Sequence, residues 1–167
     1  MPPTTRPDYR AILHTLNHHR VDYLIVGGVA AVLHGAPLNT LDLDVVHSRE
    51  PANIERLLQA LEDLDAYSRL RKDGKFRPDA SHLSTAGHQL LTTRYGAFDL
   101  LGSIGAGQGY EDLVNNTTRL DAGEGVEVRV LNLDLLIRFK EEAGRDKDRA
   151  ALPTLRRTLE EKKRLGG

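Results

Sequence analysis

Asp42 and Asp44 stand one residue apart in the apolar stretch "TLDLDVV". Residues so spaced on a strand share a face, with their β-carbons roughly 6–7 Å apart. Two unpaired carboxylates at that separation repel and favour a cation between them. Mg²⁺ suits such a pair, since it takes carboxylate oxygens at about 2.0–2.1 Å and commonly binds substrate phosphates as well. Two such ions about 3.5–4 Å apart can activate an attacking oxygen and stabilise a leaving one. A third acid, Asp99 in "AFDLL", interrupts another apolar run in the same way. A neighbouring strand could set it opposite the pair, although sequence does not fix the register. The plainer alternative for the dyad alone is a pair of aspartates on the solvent face of an edge strand.

The elements that must position these acids are legible from spacing. "DYRAILHTLNHHR" has a helical apolar pattern behind a candidate Asp8 cap, and "YLIV" from Tyr23 to Val26 reads as a strand. Gly27 and Gly28 stop that strand before the helix formers of "VAAVLHG". A glycine pair at a strand-to-helix junction permits close backbone approach, and N–H groups at a helix start can hold phosphate. On its own the pair reads equally as a structural turn, and no G-x-x-x-x-G-K-[ST] loop is present. In "TLDLDVVHS", Leu41, Leu43 and Val45 alternate with the two acids. Thr40 can bond its local backbone, setting the strand entry, or touch a phosphate.

Pro51 opens a third helix carrying Ile54, Leu57, Leu58, Leu61 and Leu64. From Tyr67 to Gly87 the pattern breaks down and predicts a surface loop with one short element. "HQLLTTRYGAFDLLGSI" predicts a hairpin; a short helix near Tyr110–Asn115 and the strand "VEVRV" follow. "NLDLLIRFKEEAG" predicts a helix stopped at Gly144, and the last helix carries Pro153 near its middle, implying a kink or break. This order predicts one α+β domain over 1–167: a mixed central sheet flanked by helices, with a core at about 8–131 and a helical part at about 132–165.

Positive charge gathers in the C-terminal part at Arg138, Lys140, Arg145 and Lys147. Folded back over the acid strand, this segment would balance phosphate charge, with Lys140 the first candidate and Lys147 the second. A charged helix–helix corner with surface ion pairs is the alternative. His34 reads as a packed or capping residue, and the other histidines as surface or local structure. The whole chain has 23 Lys and Arg against 24 Asp and Glu, for a net charge of -1, and 5% aromatics with no tryptophan. That balance gives no global drive toward nucleic acid or membrane, and stacking platforms for single strands are scarce. With no cysteine, disulfides and thiolate metal sites are excluded. The lack of cysteine makes a cytoplasmic setting the expectation, and the sequence shows no secretion-like start or membrane-length apolar run.

Strand, "GG", helix and "TLDLD" together resemble the signature of the DNA polymerase beta-like nucleotidyltransferase superfamily. Within it, "GGVAAVLHG", "T-x-D-x-D" and "LIRFKEEAGRDKDRAAL" look most like small bacterial members related to the nucleotidyltransferase toxins of abortive-infection systems. The resemblance spans Tyr23 to Leu152. It implies a nucleotidyltransferase fold in which Gly27 and Gly28 grip a nucleoside triphosphate. Asp42, Asp44 and Asp99 would then hold Mg²⁺ or Mn²⁺ and do the catalysis, with Thr40, Lys140 and Lys147 beside the nucleotide. The implied reaction moves a nucleoside monophosphate to a hydroxyl on a small molecule, a protein or an RNA or tRNA end. Gly28 departs from the serine that many members carry, and "GGVA" lacks the arginine of the tRNA-modifying branch. The short chain leaves little room for an acceptor domain, so a dimer mate or protein partner would supply that surface. The alternative is an inactive nucleotidyltransferase-fold protein, nucleotide-binding or antitoxin-like.

Overall fold

The computed structural model describes residues 7–40, 42–71 and 73–166. Leu41, the first apolar residue expected on the acid strand, lies outside them. Asp8 accepts a hydrogen bond from the Ala11 N–H and caps helix α1 (Tyr9–His18), which buries Ile12, Leu13 and Leu16. Strand β1 (Tyr23–Val26) is buried at all four residues, as a strand covered on both faces must be. Helix α2 (Gly27–Leu33) follows with no intervening loop, so the two glycines are its first two residues. Strand β2 (Asp42–His47) alternates exposed Asp42, buried Leu43, half-buried Asp44 and buried Val45. Helix α3 (Pro51–Asp63) starts at its proline, whose missing N–H would have had no partner there anyway.

Between Tyr67 and Gly87 the chain is more ordered than its pattern suggests. Strand β3 (Tyr67–Ser68) and helix α4 (Ala80–Leu83) both form, and Leu83 is fully buried. The expectation of a surface loop with one element is corrected on this point: pairing to a neighbouring strand supplies what local periodicity lacks. Strands β4 (His88–Thr93) and β5 (Gly96–Leu101) make the expected hairpin. A short helix α5 (Tyr110–Leu113) and a 3₁₀ turn lead to strands β6 (Thr117–Asp121) and β7 (Glu127–Leu131). Helix α6 (Leu133–Ala143) ends at Gly144, which adopts φ 63°, a left-handed conformation that glycine takes without a Cβ penalty.

Helix α7 (Asp146–Arg164) runs through Pro153 without a break. A proline this deep in a helix removes one backbone hydrogen bond at a cost of about 3 kcal/mol. Burial on both sides of it, by Asp148 and Leu152 before and by Leu155 and Thr158 after, holds the helix together.

The sheet has seven strands in the order β3-β4-β5-β2-β1-β7-β6. The β2–β5 and β1–β7 pairs are parallel and the others antiparallel, which makes the mixed α+β sheet expected from the element order. Helix α2 packs on β1, β2 and α6, and α6 packs on α7, so the C-terminal helices close over the end of the sheet where β1 becomes α2. Among the described residues, no helix is long and apolar enough to cross a membrane.

Candidate active site

Asp44 pairs with Asp99 across the parallel β2–β5 register and with Val26 across β1–β2. Directly paired residues share a face, and adjacent strands lie about 4.7–4.9 Å apart, so the two carboxyl groups are neighbours. Asp42, two residues before Asp44 and opposite Ala97, is exposed at the strand entry. Pairing of Val26 with Asp44 also brings the start of α2 against the acids. Gly27 has φ +71°, and a Cβ built there would lie 2.4 Å from Asp44 Oδ2. Only glycine admits both that conformation and that approach. Gly28 is similarly tight against Thr40, whose Oγ1 would lie 2.7 Å from a Cβ at residue 28. The Thr40 hydroxyl donates to the Asp42 carbonyl over 3.3 Å, the local backbone bond open to it from sequence. Among the described residues, no side chain caps the first turn of α2.

Burial pushes the Asp44 carboxyl up from its ordinary 3.8 to about 7, helped by the negative charge and hydrogen bond of Asp99 and by the charge of Asp42. The Arg69 guanidinium pulls the other way. A carboxyl so reluctant to ionise is one that a cation would relieve. Asp99 is 8% exposed, and its Oδ1 is buried with no hydrogen bond. Arg69 Nη1 lies 2.8 Å from that oxygen, an ion pair by distance without hydrogen-bond alignment.

The features that fit a divalent ion are the two carboxylates of Asp42 and Asp44 on one strand face and a glycine leaving space beside Asp44 Oδ2. Among the described residues, no three acidic or histidine groups converge into a ready-made metal cage. Phosphate oxygens would have to complete the shell, as is usual for Mg²⁺.

A cleft of about 610 Å³ opens beside the acids, reaching from Gly27 and Asp44 to α6 and the start of α7. Its wall is apolar, with Leu101, Ile104, Leu131, Leu136 and Phe139. Gly105, at φ +58°, lets the loop after β5 close on the Phe139 ring, since a Cβ there would sit 2.5 Å from ring carbon Cε1. Lys140 and Arg145 stand at its rim, tied to Asp148 at 3.4 Å and 2.7 Å. The Asp148 side chain is 1% exposed, and the Arg145 hydrogen bond, then Lys140, holds its carboxyl below the usual range. Lys147 is exposed on the first turn of α7 and Arg138 is exposed on α6, and neither lines the cleft. His34 is packed, as expected: its Nε2 bonds the Leu131 carbonyl at 2.8 Å and its Nδ1 meets Lys162 Nζ at 2.7 Å. His47 is not a surface residue; it is 1% exposed and bonds the Leu83 carbonyl.

Two contributors are invisible in the sequence. Arg69 lies in a segment without periodicity, thirty positions from Asp99, and no spacing signal connects them. The apolar wall is assembled from β5, the following loop, β7 and α6. Arg145 and Asp148, by contrast, stand three apart at a helix start, a spacing that could have revealed their pairing.

No protein-family model matches the chain, and no curated protein sequence does. Solved structures do match. A candidate nucleotidyltransferase, TM1012 of Thermotoga maritima, is 18% identical, with TM-score 0.54 over 92% of this chain and 91% of that one. Lincomycin-bound LnuA, a lincosamide antibiotic adenylyltransferase, is 17% identical, with TM-score 0.59 over 89% of this chain and 94% of its own. The antibiotic-resistance factor ANT(2'')-Ia is 14% identical, with TM-score 0.57 over 90% and 82% respectively. The fold is therefore the nucleotidyltransferase fold.

Proposed function

We propose that the protein transfers a nucleoside monophosphate from a nucleoside triphosphate to a hydroxyl group of a small molecule, releasing pyrophosphate. The observation that carries this reading is the contact of the Gly27 backbone with Asp44, itself in register with Asp99. Phosphates would lie over Gly27 and Gly28, where the missing side chains allow close approach. Thr40 would supply a hydroxyl beside residue 28, the position at which many superfamily members carry serine. Asp42, Asp44 and Asp99 would hold Mg²⁺ or Mn²⁺, which when bound offsets phosphate charge and polarises the transferred phosphoryl group. The acceptor oxygen attacks the α-phosphorus, the bond to the bridging oxygen breaks, and the acceptor proton passes to Asp99. Lys140, held by Asp148, would face the phosphates from the cleft rim, with Lys147 further out on α7.

The apolar wall of the cleft supports a compact acceptor with a nonpolar face, and near-zero net charge speaks against a polynucleotide. Description of LnuA as an antibiotic adenylyltransferase agrees with that class.

A second reading, a nucleotide-binding or antitoxin-like protein without catalysis, draws on one contact: Arg69 from the Tyr67–Gly87 segment already sits on Asp99. Release of pyrophosphate from a nucleoside triphosphate, assayed with Mg²⁺ and a panel of hydroxylated small molecules, separates the two. The transferase reading expects acceptor-dependent release that Asp44→Asn abolishes. Binding of triphosphate and Mg²⁺ with no release on any acceptor favours the second.

A further inference from the structure

Arg69 extends the row of residues that carries the acids. Its backbone N–H donates to the Leu90 carbonyl at 2.9 Å, Leu90 pairs with Asp99, and Asp99 pairs with Asp44. The guanidinium therefore reaches over Leu90 along one face of the sheet to arrive at Asp99. It is anchored there: Nη1 donates to the Leu91 carbonyl, and the side chain is 29% exposed. Nη1 lies 2.8 Å from Asp99 Oδ1, an ion pair whose alignment leaves that oxygen without a hydrogen bond. Arg69 also acts on Asp44, opposing the rise in its proton affinity.

We propose that Arg69 is the resident counter-cation of Asp99, so that the acid site takes a single divalent ion, on the Asp42–Asp44 side, in place of two. The inference rests on the metal-holding role given above to Asp42 and Asp44 and narrows that reading by leaving Asp99 to Arg69. A fixed guanidinium 2.8 Å from a carboxylate oxygen occupies the region a second ion would need and repels it. Arg69 is thus a positioning residue. It fixes the orientation of Asp99 without itself meeting the transferred group.

Electron paramagnetic resonance titration with Mn²⁺ in the presence of a non-hydrolysable nucleoside triphosphate, counting ions bound on the full chain beyond those held by free triphosphate, tests this. Wild type should bind one ion. Arg69→Met, which keeps the aliphatic stem over Leu90, should gain a second ion or bind the first about tenfold more tightly, as expected for removing one like charge from beside the site. Arg69→Lys, which keeps the charge, should behave as wild type. Urea unfolding of each variant establishes that it is folded. Two ions on wild type, or the same number and affinity on wild type and Arg69→Met, would overturn the proposal while leaving the metal-holding reading intact. No Mn²⁺ on any folded variant would overturn both.

Discussion

Replacing Asp44 with asparagine should stabilise the metal-free protein, and the gain should depend on pH in a direction fixed by the site. In the folded chain the Asp44 carboxyl keeps its proton up to about pH 7, whereas in the unfolded chain it ionises near 3.8. Between these values the folded state binds more protons, so wild-type stability falls as pH rises through the window. Roughly three pH units at about 1.36 kcal/mol each set a ceiling of about 4 kcal/mol on the cost of ionised Asp44. Solvent reaches this half-buried group, and about 2 kcal/mol is the expected value. Asparagine never ionises and keeps the shape and a donor toward Asp99. The variant should match wild type near pH 4 and exceed it above pH 7, by about 4–8 °C in Tm for a chain of this size. Urea unfolding of both proteins in chelator across that range provides the assay. Two stability curves that run parallel from pH 4 to 8 would refute the crowding of charge argued for Asp44 and Asp99.

Other perturbations read different parts of the site. Gly27→Ala should lose about 1–2 kcal/mol from the left-handed backbone alone. It should also displace the Asp44 carboxylate, so Mn²⁺ binding should fall further than urea stability does. Asp148→Asn strips the ion pairs that hold Lys140 and Arg145 and should cost about 1.5–3 kcal/mol in urea unfolding at neutral pH. Because these bases depress the Asp148 carboxyl, its stabilisation is present above its unfolded value near 3.8 and fades as pH falls below it, so the difference between variant and wild type should shrink in acid. Phe139→Ala opens the apolar wall and should raise the KM for acceptor while triphosphate binding, followed by calorimetry, stays near wild type.

The parts of this molecule legible in its sequence are those set by short-range pattern. Helix α1 follows from Asp8 and its apolar spacing, the end of α6 from Gly144, and β2 from the alternation of Leu43 and Val45 with the acids. The register of Asp44 with Asp99 required a resemblance to anticipate, because two strands whose paired residues stand 55 positions apart can pair in several ways. Arg69 was out of reach, since its role arises from pairing between β3 and β4 and not from the residues around it. Pro153 illustrates the reverse case. Local chemistry argues for a break, but burial of Leu152 and Leu155 on either side outweighs one missing hydrogen bond.

Gly27, Gly28 and the aspartates of β2 are proposed to form a metal–triphosphate site. A crystal structure of the protein grown with Mg²⁺ and a non-hydrolysable nucleoside triphosphate tests it most directly. The expected result is a divalent ion coordinated by Asp42 and Asp44, with phosphate oxygens completing its shell and lying against the backbone of Gly27 and Gly28. A triphosphate bound elsewhere, or bound there with no ion between Asp42 and Asp44, would contradict it.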